Sequence, residues 1–282
     1  MKSFRILFIA LLIVTGGIVF AVNAQSNRSE DRSERTLQLA SGGTFSVENY
    51  KGRIEINTWN QNQVKISILK YVSGRDSARQ KWLQEVKVDF TESANRAGVK
   101  VKYPDHNCMF CFDGDGVDES GVELRIQVPR DVKLDIDGYK PDMFINGTHG
   151  DLHIKSYKSD MRIEGVRGAV HIDTYKNRIE MKDVDVQGSL YIKTYSGEVD
   201  ASLSGIGSGA TFDSYRGEFT LRLPDSVGFN LDFSGARRGS FNSDLPMAMN
   251  STDRDSIRGT INGGGASLRF DTYRGSLNIR RK

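Results

Sequence analysis

Cysteine is nearly missing from this chain: 282 residues carry two, Cys108 and Cys111, in a single C-x-x-C. One such pair without a second pair cannot complete a four-cysteine zinc site, and at most one intrachain disulfide can form. No cysteine lies near residue 24, which argues against lipid attachment at a new N-terminus there. No excess of charge is present either, with 39 Lys and Arg against 36 Asp and Glu, so nothing calls for nucleic acid. The sequence contains no G-x-S-x-G, no H-E-x-x-H and no G-x-G-x-x-G after a strand, which removes the common signatures of hydrolases, zinc proteases and phosphate loops. Its 29 glycines mark turns.

Apolar runs are equally scarce. The long one extends from Ile6 to Val22, broken by Thr15 and Gly16-Gly17, preceded by Lys2 and Arg5 and followed by Val22-Asn23-Ala24. A basic start, an apolar stretch and a small-residue site make residues 1–24 an export signal, with an uncleaved anchor as the competing reading. After cleavage no transmembrane segment is expected. Residues 26–35 (SNRSEDRSER) are charged without periodicity, and residues 25–43 are expected to be a flexible linker.

What the chain has in abundance is one cassette. Tyr139, Tyr157, Tyr175, Tyr195 and Tyr215 are spaced 18, 18, 20 and 20 residues apart, and Tyr50 and Tyr273 sit in matching contexts. A period near 20 residues marks stacked units that bury a core only together. Five and three residues before each tyrosine stand apolar pairs such as Leu134/Ile136, Leu152/Ile154 and Leu190/Ile192; four and six after it stand Met143/Ile145, Met161/Ile163 and Val199/Ala201. Each coil therefore reads as two short half-buried strands. The residue two after the tyrosine is Gly52, Pro141, Ser159, Asn177, Gly197, Gly217 or Gly275, which predicts a turn there. A second turn is expected at Gly43, Gly150, Gly168 or Gly188. The fold class is all-β: a two-sheet parallel β-solenoid with a small N-terminal cap of strands and helix.

The outward positions support the same register. Asp137, Lys155, Asp173, Lys193 and Asp213, each two before a tyrosine, alternate in sign, which would set opposite charges beside one another in stacked coils. Arg237 fits the tyrosine position of a degenerate eighth copy. The period breaks over residues 57–102, where strands at Val64–Ile68, Val86–Phe90 and Val99–Tyr103 and a short helix over Asp76–Val86, with Asp76 as its cap, are predicted. Ser251–Arg258 reads as a surface loop. The domain organisation is then 1–24 signal, 25–43 linker, 44–121 first coil, cap and cysteine loop, and 122–282 repeats.

Candidate sites are few. Cys108 and Cys111 in an exported chain first suggest a disulfide; a zinc site with His106 and Asp113, or redox chemistry, are the alternatives. The Asp113–Glu119 run fails the EF-hand pattern, because Val117 takes a ligand position, and reads as an acidic loop. His153 and His171 share an outward position in adjacent coils, too few ligands for a metal. No metal, cofactor or catalytic residue is assigned. The remaining candidate is the stripe of Tyr139, Lys140, Tyr157, Lys158, Tyr175, Lys176, Tyr195, Tyr215 and Arg216, with Lys51 and Arg274 continuing it. Such a stripe could stack sugars and attract acidic polymers, or serve only as a stabilising ladder whose charges Asp142, Asp160, Glu198 and Glu218 neutralise.

The opening FSVENYKGRIEINTWNQNQVKI, the tandem Tyr-x-Gly-x-apolar-x-apolar cassettes, FNSDLPM and the closing INGGGASLRFDTYRGSLNIRRK resemble a bacterial exported domain-of-unknown-function family labelled "putative adhesin", over nearly all of residues 44–282. The resemblance implies a β-solenoid and an adhesion role, and carries no catalytic residues. The sequence departs from it at the C-x-x-C loop and at Arg237. The expected function is an exported, non-catalytic binding or adhesion module of the cell envelope, in the periplasm, at the cell surface or outside. Its partner would be a cell-surface polysaccharide or another envelope protein. An envelope-stress accessory and a polysaccharide-active enzyme are the alternatives.

Overall fold

A computed structural model describes residues 27–104 and 116–282. Residues 1–24, expected to be an export signal, and Cys108 and Cys111 lie outside the described residues. In chain order the elements begin with β1 (Arg28–Gln38), β2 (Thr44–Trp59), β3 (Gln63–Gly74), α1 (Asp76–Glu85), β4 (Lys87–Ser93), β5 (Arg96–Lys102) and β6 (Val117–Pro129). The coils follow as β7 (Lys133–Asn146), β8 (Leu152–Glu164), β9 (Arg167–Leu203) and β10 (Gly209–Leu223). The chain ends with β11 (Phe229–Ser234), β12 (Ser240–Ser243), β13 (Met247–Thr252), β14 (Ser256–Ile261), β15 (Ala266–Thr272) and β16 (Ser276–Arg281). These strands form one connected sheet in which parallel and antiparallel pairs are mixed.

Through the repeats the stacking is parallel and in register: Leu134 beside Leu152, Leu152 beside Val170, and Leu190 beside Ala210. Every apolar position named for the cassette is buried, from Phe45 and Val47 in the first coil to Leu277 and Ile279 in the last. The strands do not break at the tyrosine, however. In β10, Ala210, Phe212 and Ser214 point inward, Tyr215 and Arg216 are both exposed, and Gly217, Phe219 and Leu221 point inward again. Two consecutive outward residues shift the alternation by one, so the chain rounds a corner and both arms face the same core. Phe212 and Phe219, from opposite arms, meet at 5.4 Å between ring centroids.

The turn residue two after the tyrosine thus has a steric cause. A Cβ on Gly217 would lie 2.4 Å from the Ser214 hydroxyl and 2.5 Å from the Phe219 ring. Gly52 adds a conformational demand, with φ +116° and a Cβ position 2.2 Å from the Val122 carbonyl oxygen. Just inside the corner runs a buried polar row that includes Asn49, Ser159, Thr174, Thr194 and Ser214.

A second corner lies eight residues after three of the tyrosines, at Gly147, Gly165 and Asp183, all with positive φ. The residues that follow, Thr148, Val166 and Val184, are buried, and Arg167 and Asp185 donate backbone hydrogen bonds to Thr148 and Val166 at 2.9 Å. Each of these coils therefore has a short third side, and β9 runs through two coils without a break at Gly188. Together with the connected mixed sheet, this differs from two separate parallel sheets.

Several other expectations change. Residues 28–38, read as part of a flexible linker, form β1, which pairs antiparallel with β3 along its whole length. Backbone pairing supplies the order that composition does not: Glu34 and Asp31 reach Lys65 and Lys70 at 2.6 and 3.4 Å, and only Leu37 is buried. A charged edge strand of this kind resists pairing with other chains. Asp76 is the first residue of α1, not its cap, and pairs with Arg79 at 2.7 Å. Ser251–Arg258 is largely a hairpin between β13 and β14, not a loop. The last coil does not follow the Arg237 copy in space; β15 and β16 insert between β10 on one side and β11 and β12 on the other.

The alternating charges fall in register, Asp137 beside Lys155 and Lys155 beside Asp173. The alternation ends at Asp213, whose next neighbour is Asp271. Among the described residues none of the five closes to an ion pair, so the pattern sets register more than it adds stability.

Candidate functional site

Seven tyrosines come together in one ladder. Tyr50, Tyr139, Tyr157, Tyr175, Tyr195, Tyr215 and Tyr273 stack in that order at centroid separations of 4.6, 4.8, 5.0, 4.8, 4.8 and 4.9 Å. Neighbouring planes differ by 4 to 10°. The spacing is the strand spacing itself: parallel register delivers one ring per coil at van der Waals distance. The tilted ring of Tyr103 adjoins the Tyr50 end at 5.9 Å, and the guanidinium of Arg238 lies over Tyr273 at 4.7 Å. At this end of the ladder it is the side chain of Arg238 that covers the ring of Tyr273.

This geometry decides between two readings of the tyrosines. A sugar stacks on the face of an aromatic ring, and both faces of Tyr139, Tyr157, Tyr175, Tyr195 and Tyr215 are covered by their neighbours. A sugar cannot reach the faces of these five inner rings without parting the stack. Tyr175 nevertheless remains 43% exposed, and that exposure is ring edge and hydroxyl. The edge of an aromatic ring is its electropositive part, and the described ladder hydroxyls make no hydrogen bond within the protein.

The basic residues line the same corner. Lys51 and Lys140 are register neighbours, as are Lys158 and Lys176, so like charges stack. Among the described residues Lys140, Lys158, Lys176, Arg216 and Arg274 enter no ion pair. The carboxylates expected to neutralise them are occupied elsewhere or stand off: Glu198 reaches Arg178 at 3.7 Å, and Asp142 and Asp160 neighbour Arg53 and Arg178 across the ladder. Elsewhere the fold pairs its charges, as in Lys133 with Asp151 at 3.1 Å and Arg167 with Asp185 at 3.0 Å. Lysine and arginine also lean on their own rings, with Lys140, Arg216 and Arg274 at 5.2, 5.5 and 5.4 Å from the centroids.

The first cation differs from the rest. Lys51 is partly buried and its Nζ donates to the Ser120 hydroxyl at 2.8 Å. Burial holds its ammonium below the usual lysine range, and the neighbouring Lys140 charge pushes the same way. Tyr103 closes this end, donating its hydroxyl toward Asn49 Oδ1 and the Lys51 carbonyl oxygen, each at 2.8 Å. Burial pushes its phenol well above the ordinary tyrosine range.

The histidines also fall where the repeat places them. His153 and His171 are 4.8 Å apart edge to face, His171 meets Tyr191 at 4.6 Å, and Asp135 lies 3.2 Å from His153 Nδ1. Burial lowers the His171 pKa first, and the charge of His153 adds to it. Among the described residues no group of three or more His, Cys, Asp or Glu side chains converges to hold a metal. Likewise, no helix among them is long and apolar enough to cross a membrane.

An all-β, solenoid-like domain with an aromatic and cationic corner is thus the class defined by fold and site. The model of the Toastrack DUF4097 family matches residues 131–280, and the chain belongs to that family. The match begins well after residue 44. No curated protein matches the sequence. Among solved structures, a "putative cell adhesion protein" from Clostridium sporogenes aligns at a TM-score of 0.41 and 11% identity, covering 90% of this chain and 100% of that one. A "putative adhesin" from Bacteroides fragilis aligns at 0.39 and 9%, covering 89% and 98%. A "putative lipid binding protein" from Parabacteroides distasonis aligns at 0.26 and 10%, covering 88% and 96%.

Proposed function

We propose that this protein is an exported, non-catalytic binding module of the cell envelope, built as a solenoid whose tyrosine corner binds an extended acidic polymer such as a polyuronate. The observation that carries the reading is the row of unpaired cations beside a ladder that shows solvent only its electropositive edges. Anionic groups along a chain could meet a cation at successive coils, roughly 4.8 Å apart, and accept hydrogen bonds from the phenol hydroxyls. Charge of this kind sets on-rate and specificity and is strongly salt-dependent. Stacking like charges is otherwise unfavourable, which a partner bearing the opposite charge would relieve.

The test is binding of polygalacturonate against neutral dextran at low ionic strength, by calorimetry. The acidic polymer should bind and dextran should not. Changing Lys140, Lys158 and Lys176 together to Gln should weaken binding by about tenfold or more, on the scale of three lost charge contacts. Equal binding of both polymers, or an unchanged affinity in the folded triple variant, overturns the reading.

A further inference from the structure

We infer that the C-terminal end of the ladder carries a distinct oxyanion site, built from Arg216, Arg238 and Arg274, for a phosphate or sulfate ester group on an acidic chain. The inference rests on the proposed binding role of the corner in sharing its surface, but its chemistry is separate.

The cation row changes character along the ladder. It is lysine at 51, 140, 158 and 176, is interrupted at Ser196, and becomes arginine at 216 and 274, with Arg238 added past the last ring. The three arginines line one surface depression together with Glu198 and Glu218. Each guanidinium is held on a ladder ring: Arg216 at 5.5 Å from Tyr215, and Arg274 and Arg238 at 5.4 and 4.7 Å from Tyr273. Such contacts orient the planar groups before any ligand arrives.

Among the described residues none of the three forms an ion pair, although two carboxylates line the same depression. Glu198 is engaged by Arg178. Several arginines of the same coils are paired, Arg222 with Asp200, Arg258 with Asp232 at 3.2 Å, Arg269 with Asp271 at 2.6 Å and Arg280 with Asp244 at 2.7 Å, whereas Arg216, Arg238 and Arg274 are gathered at one depression. What sets these three apart is that they share one depression and are each held on a ladder ring.

Arginine in place of lysine matters chemically. A guanidinium offers a rigid fork of donors suited to bidentate contact, whereas an ammonium acts as a point charge. A carboxylate has two oxygens and one charge, and one fork satisfies it. A terminal phosphate or sulfate ester presents three oxygens in tetrahedral directions and can accept from more than one fork. Glu218 tempers the site, and its replacement by Gln should tighten binding.

The experiment compares dextran phosphate (a monoester), dextran sulfate and polygalacturonate, at matched length and ionic strength, on the wild-type protein and on two variants. The wild type should bind one or both esters about tenfold more tightly than the polyuronate, and the separate ester arms tell phosphate from sulfate. Changing Arg216, Arg238 and Arg274 to Lys keeps charge and removes the forks; it should abolish the preference while polygalacturonate still binds. Changing Lys140, Lys158 and Lys176 to Gln should weaken all three polymers alike and leave the preference intact. Equal wild-type affinities, or a preference that survives the arginine-to-lysine change, overturns the site. Failure of the lysine variant alone overturns the polymer edge and spares the arginine site. Circular dichroism melts confirm that both variants fold.

Discussion

Replacing Tyr175 separates what the ladder contributes to folding from what it contributes to binding. Its ring stacks on Tyr157 at 5.0 Å and Tyr195 at 4.8 Å, and stacked aromatic pairs contribute about 0.5–1.5 kcal/mol each beyond their buried area. Tyr175→Ser removes both contacts, for a loss of roughly 1–3 kcal/mol. Tyr175→Phe keeps both and deletes only a hydroxyl without a protein partner, so its stability should stay within about 0.5 kcal/mol of wild type. For a chain of this size 1 kcal/mol moves the melting temperature by about 2–4 °C. Serine should therefore lower it by several degrees and phenylalanine barely at all. Urea denaturation followed by circular dichroism gives the free energies, with coincidence of two probes as the check on two-state behaviour. If serine costs less than about 0.5 kcal/mol, or phenylalanine costs as much as serine, the stacked ladder is not the stabilising element described here.

Three further outcomes follow from the same geometry. Tyr103→Phe deletes the one hydroxyl proton shared between Asn49 Oδ1 and the Lys51 carbonyl oxygen, each at 2.8 Å, and leaves the Oδ1 of buried Asn49 short of a partner, which should cost about 1–3 kcal/mol in the same urea assay. Because burial raises the Tyr103 pKa in the folded state, its contribution is intact below the ordinary tyrosine pKa of about 10 and declines as pH rises beyond it. Tyr103→Phe should accordingly flatten the alkaline limb of a stability-against-pH curve. Gly52→Ala must place a methyl 2.2 Å from the Val122 carbonyl oxygen at φ +116°; a loss above about 1 kcal/mol is expected, and a neutral result would contradict the close approach of β6 to β2.

Much of this was legible because each coil obeys a strict inward and outward code. The apolar frame around Tyr139 to Tyr215 located every core residue it named, and the tyrosine spacing located the ladder. What the code concealed was direction. Alternation does not say whether a chain stops or bends, so the continuous strand through Tyr215 was read as two. A visible signal did exist for the second corner: Gly147, Gly165 and Asp183 recur eight residues after their tyrosines. β1 escaped composition altogether, since its order comes from main-chain pairing with β3 and not from buried side chains. The insertion of the Tyr273 coil beside Tyr215 is a long-range choice that no local spacing encodes. At the candidate site, the spacing offered both a binding stripe and a stabilising ladder, and the near-parallel ring stacking adds that the faces of the inner rings are covered.

The most direct measurement is lysine footprinting: acetylation of the folded protein with and without polygalacturonate, read by mass spectrometry. Lys140, Lys158 and Lys176 should be protected by the polymer, while Lys65 and Lys133, held by Glu34 and Asp151 away from the corner, should react unchanged. Uniform protection of all five, or none at the three corner lysines under conditions where the polymer binds, would contradict the assignment of the tyrosine corner as the binding edge.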